Sequence, residues 1–254
     1  IKYIPRIAKV TLDSAKVKEI EEYYAKCADE GASKEDIEAS KKAMSAMEVI
    51  LGDEERLERL AADIIAHYTA ARENNADVIQ KAMVVCSKRE IGYRLLKKFM
   101  KLKPEWFEEH KHPEDLKVPE KKLKDLTLMP TIAMAATRGK NDPKEMYDYL
   151  GDKKRIKSLE EAFKMEYSNL RIVIVVDMWI TGFDVPCLTY LYNDKPLQKH
   201  TLIQTVSRVN RKYPGKEFGY IIDYIGIHGK MMEAMKQYGG DAFGTSEDDV
   251  QQAL

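Results

Sequence analysis

The sequence has little cysteine, no long apolar run and no net excess of either charge. Its three cysteines, Cys27, Cys86 and Cys187, stand far apart among 254 residues. That spacing excludes a disulfide framework and a cysteine-based metal site, and it suits free thiols in a reducing cytoplasm. No apolar stretch approaches the length of a membrane span, so no membrane partner is expected. The start, IKYIPRIAKV, lacks the layout of a secretory signal. None of the 13 glycines begins a GxxxxGK[ST] loop, which excludes a self-sufficient phosphate-loop nucleotidase. An acidic decoy, Asp53-Glu54-Glu55-Arg56, follows MEVIL. Gly52 intervenes, and the residues beyond continue a strongly amphipathic helix, so no magnesium site is expected there and no metal site elsewhere.

What is present is a soluble composition, 44% hydrophobic and 33% charged. The balance of 42 basic against 42 acidic residues hides an asymmetry. Residues 13 to 63 carry 15 acidic and 8 basic side chains, whereas 195 to 216 carry six basic ones and no acid. A locally positive stretch in a neutral chain points to a phosphate-bearing partner at that place.

The first 76 residues read as a helical lead-in, with helices near 13–28 and 34–50 and a longer one from Asp53. In that last helix Leu57, Leu60, Ile64, Ile65 and Tyr68 form one stripe, and Asp53 is placed to cap it. From Lys81 the pattern changes. Short apolar runs at 82–86, 131–136, 171–176, 188–192 and 220–223 alternate with helical stretches near 88–101, 154–166 and 198–210. Strand alternating with helix predicts an α/β domain over 77–238, a parallel sheet with helices on both faces. Ligands gather at the carboxyl ends of such strands. Residues 101–130, with four prolines, read as a surface insertion, and 239–254 as a flexible tail.

Three stretches carry candidate chemistry. In QTVSRVNR, Gln204, Arg208 and Arg211 fall at i, i+4 and i+7 and share one helix face, while Leu202, Val206 and Val209 share the other. Converging guanidinium groups suit phosphate, although an ordinary solvated helix face has the same pattern. After the run ending at Val176 comes DMWITGFDVP. Its Gly182 lets backbone approach a ligand closely, Thr181 can donate to a phosphate oxygen, and Asp184 can accept from a ribose hydroxyl or an arginine. The bland alternative is a capped strand-to-helix turn. Ser87, Lys88 and Arg89 follow the first buried run and open a helix, a natural phosphate site or a simple capped terminus.

Taken in order, SKR at 87–89, TGFDVP at 181–186, NDKPLQKH at 193–200, LIQTVSRVNR at 202–211 and IIDYIG at 221–226 resemble the second RecA-like domain of superfamily 2 helicases and translocases. The resemblance is closer to the restriction subunit of type I restriction–modification enzymes, and extends to EASKKAM at 38–44 and MEVILG at 47–52. It implies a RecA-like fold and a set of roles. Gln204, Arg208 and Arg211 match motif VI, with Arg211 as arginine finger and Arg208 as its partner toward the γ-phosphate of ATP. Thr181, Gly182 and Asp184 match motif V, which couples nucleotide to the DNA backbone. Ser87, Lys88 and Arg89 match the region of motif IV, which meets DNA phosphates. Ser207 stands where many helicases have glycine.

The same resemblance implies ATP and Mg2+ as cofactors, held mainly by a first motor domain that this sequence lacks. It implies double-stranded DNA and the methylation and specificity subunits as partners. Pro113, Glu114 and Asp115, with Glu120 and Lys122, only superficially resemble a PD-(D/E)xK nuclease, since no apolar strand carries them. The chain therefore reads as a fragment of a larger polypeptide, inactive as an ATPase alone. Two alternatives stay open: the second motor domain of another superfamily 2 translocase, and a non-catalytic nucleic-acid-binding module.

Overall fold

The computed structural model describes residues 1–10, 45, 47–75, 78–180, 182–197 and 199–226. The helix expected at 13–28, most of that at 34–50, Cys27, Thr181, Gln198 and the tail from 239 lie outside the described residues.

Six strands form one parallel sheet. They are β1 (Lys2–Pro5), β2 (Lys81–Cys86), β3 (Ile132–Met134), β4 (Ile172–Val175), β5 (Leu188–Asp194) and β6 (Tyr220–Asp223). Their order across the sheet is β1-β6-β5-β2-β4-β3, and every pairing is parallel. β2, β4 and β5 are buried at every residue, as a strand covered on both faces must be. The parallel α/β architecture expected from the alternation of elements is thus present.

The helices are α1 (Ile7–Val10), α2 (Glu54–Asn74), α3 (Arg89–Leu102), α4 (Glu120–Leu123), α5 (Lys144–Leu150), α6 (Lys153–Lys164) and α7 (Lys199–Val209). The order of strands sorts them by face. The β1→β2 and β2→β3 connections run one way across the sheet; β3→β4, β4→β5 and β5→β6 run the other. With right-handed crossovers, α2 and α3 share one face and α5, α6 and α7 the opposite one. The ion pairs fit that division, because Glu54 of α2 meets Arg94 and Lys98 of α3 at 2.7 and 2.8 Å. Asp53 caps α2 as expected, accepting from the Arg56 amide at 2.9 Å.

The lead-in differs from its all-helical expectation. Lys2–Pro5 is a strand, paired with β6 from Lys2↔Tyr220 to Pro5↔Asp223. Four residues ending in proline are too few to show a period of two, and proline is tolerated there because β1 is an edge strand. The lead-in also shares the main core: Leu57, Leu60 and Ile64 of α2 are fully buried in one cluster with the strands. The 101–130 segment is organised more than a bare insertion. It holds a 3-10 turn at Pro104–Phe107, α4, and a two-way bridge between His110 and Met129 at 3.0 and 2.9 Å.

Candidate functional site

The carboxyl ends of β2, β4 and β5 converge on one edge of the sheet. Helix α7 leaves β5 there. Leu202, Val206 and Val209 are at most 2% exposed, so the apolar face is seated as its spacing predicted. That seating turns Arg208 toward the loop after β4. Its Nε donates to the Ile180 carbonyl at 2.9 Å and a terminal nitrogen donates to the Phe183 carbonyl at 2.6 Å. Burial first, and Arg211 second, lower the Arg208 pKa, while Asp184 opposes them. Arg208 is therefore a clamp joining the helix to the Ile180 and Phe183 carbonyls.

Arg211 lies two residues beyond α7, not on its face, because the helix ends at Val209. The returning chain passes close to that end: a Cβ on Gly219 would stand 2.2 Å from the Val209 carbonyl oxygen, so only glycine fits against this terminus. Arg211 is about half exposed and meets Asp184 at 3.4 Å, also through an exposed side chain. Gln204 is half-buried on α7.

Trp179 has φ +63° and Gly182 φ +68°. A left-handed tryptophan is strained unless its surroundings hold it. Trp179 stacks on Phe183 at 4.7 Å with planes 5° apart, and both lie over Phe163 of α6. Around Gly182 the opposite condition holds, since a Cβ there would meet nothing within 4 Å. The backbone at Gly182 thus faces open space beside the stacked rings of Trp179 and Phe183.

Ser87, Lys88 and Arg89 begin α3, with Lys88 at the cap position. They line a cavity of about 340 Å³ with Thr137, Asp177 and Met178, which joins the 87–89 turn to the loop after β4. The Ser87 hydroxyl is buried there without a hydrogen-bond partner. The two cations are committed elsewhere. Lys88 pairs with Glu48 at 2.6 Å. Arg89 forks onto Asp142 at 2.7 and 2.8 Å and donates to the Thr137 carbonyl at 2.7 Å.

Sequence reasoning missed Asp142, which lies 53 residues from Arg89 and carries no local signal. It also missed the Trp179–Phe183–Phe163 stack. In the sequence Lys195 is simply one cation of the basic tract at 195–216. In the fold it spans from β5 to β4, bonding the Val176 carbonyl and the Asp177 carboxylate. Lys216 is likewise turned inward, to the Pro186 and Leu188 carbonyls at 3.2 and 2.6 Å. Among the described residues, no group of three or more His, Cys, Asp or Glu could hold a metal.

Comparison with known proteins gives this edge a context. The family described as type I restriction enzyme subunit R domain 3 matches residues 6–226. The HindI endonuclease subunit of a type I restriction enzyme from Haemophilus influenzae is 35% identical over 194 residues, covering 75% of this chain and 17% of its own. A putative MjaIXP endonuclease subunit from Methanocaldococcus jannaschii is 33% identical over 224 residues, covering 88% and 19%. This chain thus spans less than a fifth of either relative. A solved fragment of a putative HsdR subunit from Vibrio vulnificus aligns over 97% of this chain and 35% of its own, at 16% identity and TM-score 0.48. On the match over 6–226, the chain belongs to the type I restriction enzyme subunit R domain 3 family.

Proposed function

We propose that this chain is the second motor domain of an ATP-driven DNA translocase within a type I restriction enzyme, and that Arg211 is its arginine finger. One observation carries the reading: at the carboxyl edge, Arg208 is spent on backbone carbonyls while Arg211 projects with a single loose ion pair at 3.4 Å. A finger must be exposed and weakly held, so that it can exchange a carboxylate for a phosphoryl group brought by another domain. Asp184 would be the resting partner of Arg211 and Arg208 the clamp that positions it. Gly182, with open space before it, would admit a ribose or a phosphate. Ser87 would donate to a DNA phosphate oxygen in the 340 Å³ cavity, with Lys88 released from its exposed pair. Thr181 keeps its expected role toward the same backbone, and Gln204 toward the nucleotide.

ATP fits this edge only as a ligand held mainly elsewhere. The edge offers guanidinium and amide donors and no cluster of acids for Mg2+ among the described residues. Methylation and specificity subunits would complete the assembly on double-stranded DNA. The bare nucleic-acid-binding alternative is weakened by Lys195 and Lys216, two of the six cations at 195–216, which serve internal carbonyls.

The test is Arg211→Ala in the full R subunit assembled with its partners. DNA-dependent ATP hydrolysis should fall at least about 1,000-fold, with ATP and DNA affinities nearly unchanged. Retained hydrolysis, or a loss traced to weaker DNA binding with a reduced salt slope, would sink the finger role.

A further inference from the structure

The turn that receives Arg208 has a tryptophan at a position whose backbone suits glycine. Trp179 and Gly182 are both left-handed, at φ +63° and +68°. Glycine takes that conformation freely, whereas a bulky side chain is strained in it. Each carbonyl that accepts from Arg208 belongs to the residue just after one of these positions: Ile180 after Trp179, and Phe183 after Gly182. Trp179 therefore serves the turn through its ring, against the preference of its backbone. The ring lies on Phe183 at 4.7 Å with planes 5° apart, and so ties one end of the turn to the other. Both rings also stack with Phe163, at 6.1 and 6.0 Å. Phe163 is held in its turn by Lys81, the first residue of β2. The buried Lys81 Nζ donates to the Ala162, Phe163 and Met165 carbonyls at 3.3, 2.7 and 2.7 Å and lies 5.0 Å from the centre of the Phe163 ring.

We infer, resting on the motor reading above, that Trp179 is a positioning residue for the arginine finger. Its stacked ring spaces the Ile180 and Phe183 carbonyls for the Arg208 guanidinium, and Arg208 in turn fixes the end of α7 from which Arg211 projects. Trp179 is 8% exposed and acts only through Arg208. Strained residues gather at working sites, where the surroundings over-determine them. A finger displaced by about 1 Å loses on the order of 100-fold in rate, so the spacing of its clamp matters to the reaction. A side chain that merely filled the core would tolerate leucine at 179, whereas a spacer between two carbonyls needs a flat ring against Phe183.

The experiment has two arms. In the 254-residue chain, NMR follows exchange of the Arg208 Nε proton, which the Ile180 carbonyl holds. Trp179→Phe should keep that proton protected, and Trp179→Leu and Trp179→Gly should expose it. The glycine variant also relieves the backbone, so its loss of protection is due to the missing ring and not to strain. In the full R subunit assembled with its partners, Trp179→Leu and Trp179→Gly should lower kcat for DNA-dependent ATP hydrolysis about 10- to 100-fold, with KM for ATP changed less than about twofold. Trp179→Phe should recover most of that rate. Trp179→Leu added to Arg208→Ala should lower it no further, since both act through one clamp. A protected Arg208 proton in Trp179→Leu, a raised KM at unchanged kcat, or losses that multiply in the double variant overturns the role of Trp179. Hydrolysis that survives Arg211→Ala removes the finger itself, a failure distinguished by an Arg208 proton that still depends on the ring.

Discussion

Two arginines three residues apart have opposite duties, and stability measurements should separate them. Arg208 is bonded to the Ile180 and Phe183 carbonyls at 2.9 and 2.6 Å, so Arg208→Ala should cost about 1–3 kcal/mol in urea unfolding. Arg211, exposed beside Asp184, should change stability by less than about 0.5 kcal/mol when replaced by Ala. His67 gives a pH-dependent residue. Its Nδ1 meets the Tyr192 hydroxyl at 2.8 Å, and Tyr190, Arg6 and Asp63 complete its surroundings. Burial first, then Arg6, pull its pKa from 6.5 down to about 4, against Asp63. The unfolded chain therefore takes up this proton earlier as pH falls. Stability from this group is full above about pH 6.5 and is lost toward pH 4. His67→Gln should remove that share of acid sensitivity, on the order of 2 kcal/mol, in denaturant curves at pH 7 and 4.5.

Between elements, a buried pair ties the lead-in to the site. Arg56 of α2 bonds Asp194 at the end of β5 at 2.5 Å, with side chains 4% and 0% exposed. Burial raises the Asp194 pKa and Arg56 opposes it. Arg56→Met alone leaves a buried carboxylate uncompensated and should cost roughly 3–5 kcal/mol, whereas Arg56→Met with Asp194→Leu should recover most of that in chemical denaturation. The pair is not legible from sequence, because its two residues stand 138 positions apart and neither carries a local signal. The helices with a long apolar stripe, α2 and α7, were legible, as were the buried strands. β1 was not, being four residues at an edge. Nor was the end of α7, since helical spacing in the sequence continues through Arg211 while the helix ends at Val209.

At the scale of the molecule, the carboxyl edge brings 87–89, 182–184 and 208–211 to one side of one sheet, as the strand-then-motif order anticipated. What order could not tell is which cations are free. Arg89, Lys195 and Lys216 serve internal acceptors, and that depends on contacts distant in sequence. The edge supplies donors and no phosphate loop, so the 254-residue chain alone should hydrolyse no ATP, with or without DNA. A phosphate-release assay showing hydrolysis that Arg211→Ala abolishes would refute this.

The edge strand β1 has a mechanical consequence. It enters at the amino edge and runs parallel to β6, held by Lys2 to Gly219, by Arg6 to Asp223 and by the Tyr3 hydroxyl to the Asp223 carboxylate. A tug between Lys2 and the carboxyl edge runs along the strands. Such tension loads the bonds of β1 together, in shear, instead of unzipping them one by one. The strand Lys2–Pro5 is thus fastened to β6 like a lap joint, against tension that runs along the strands.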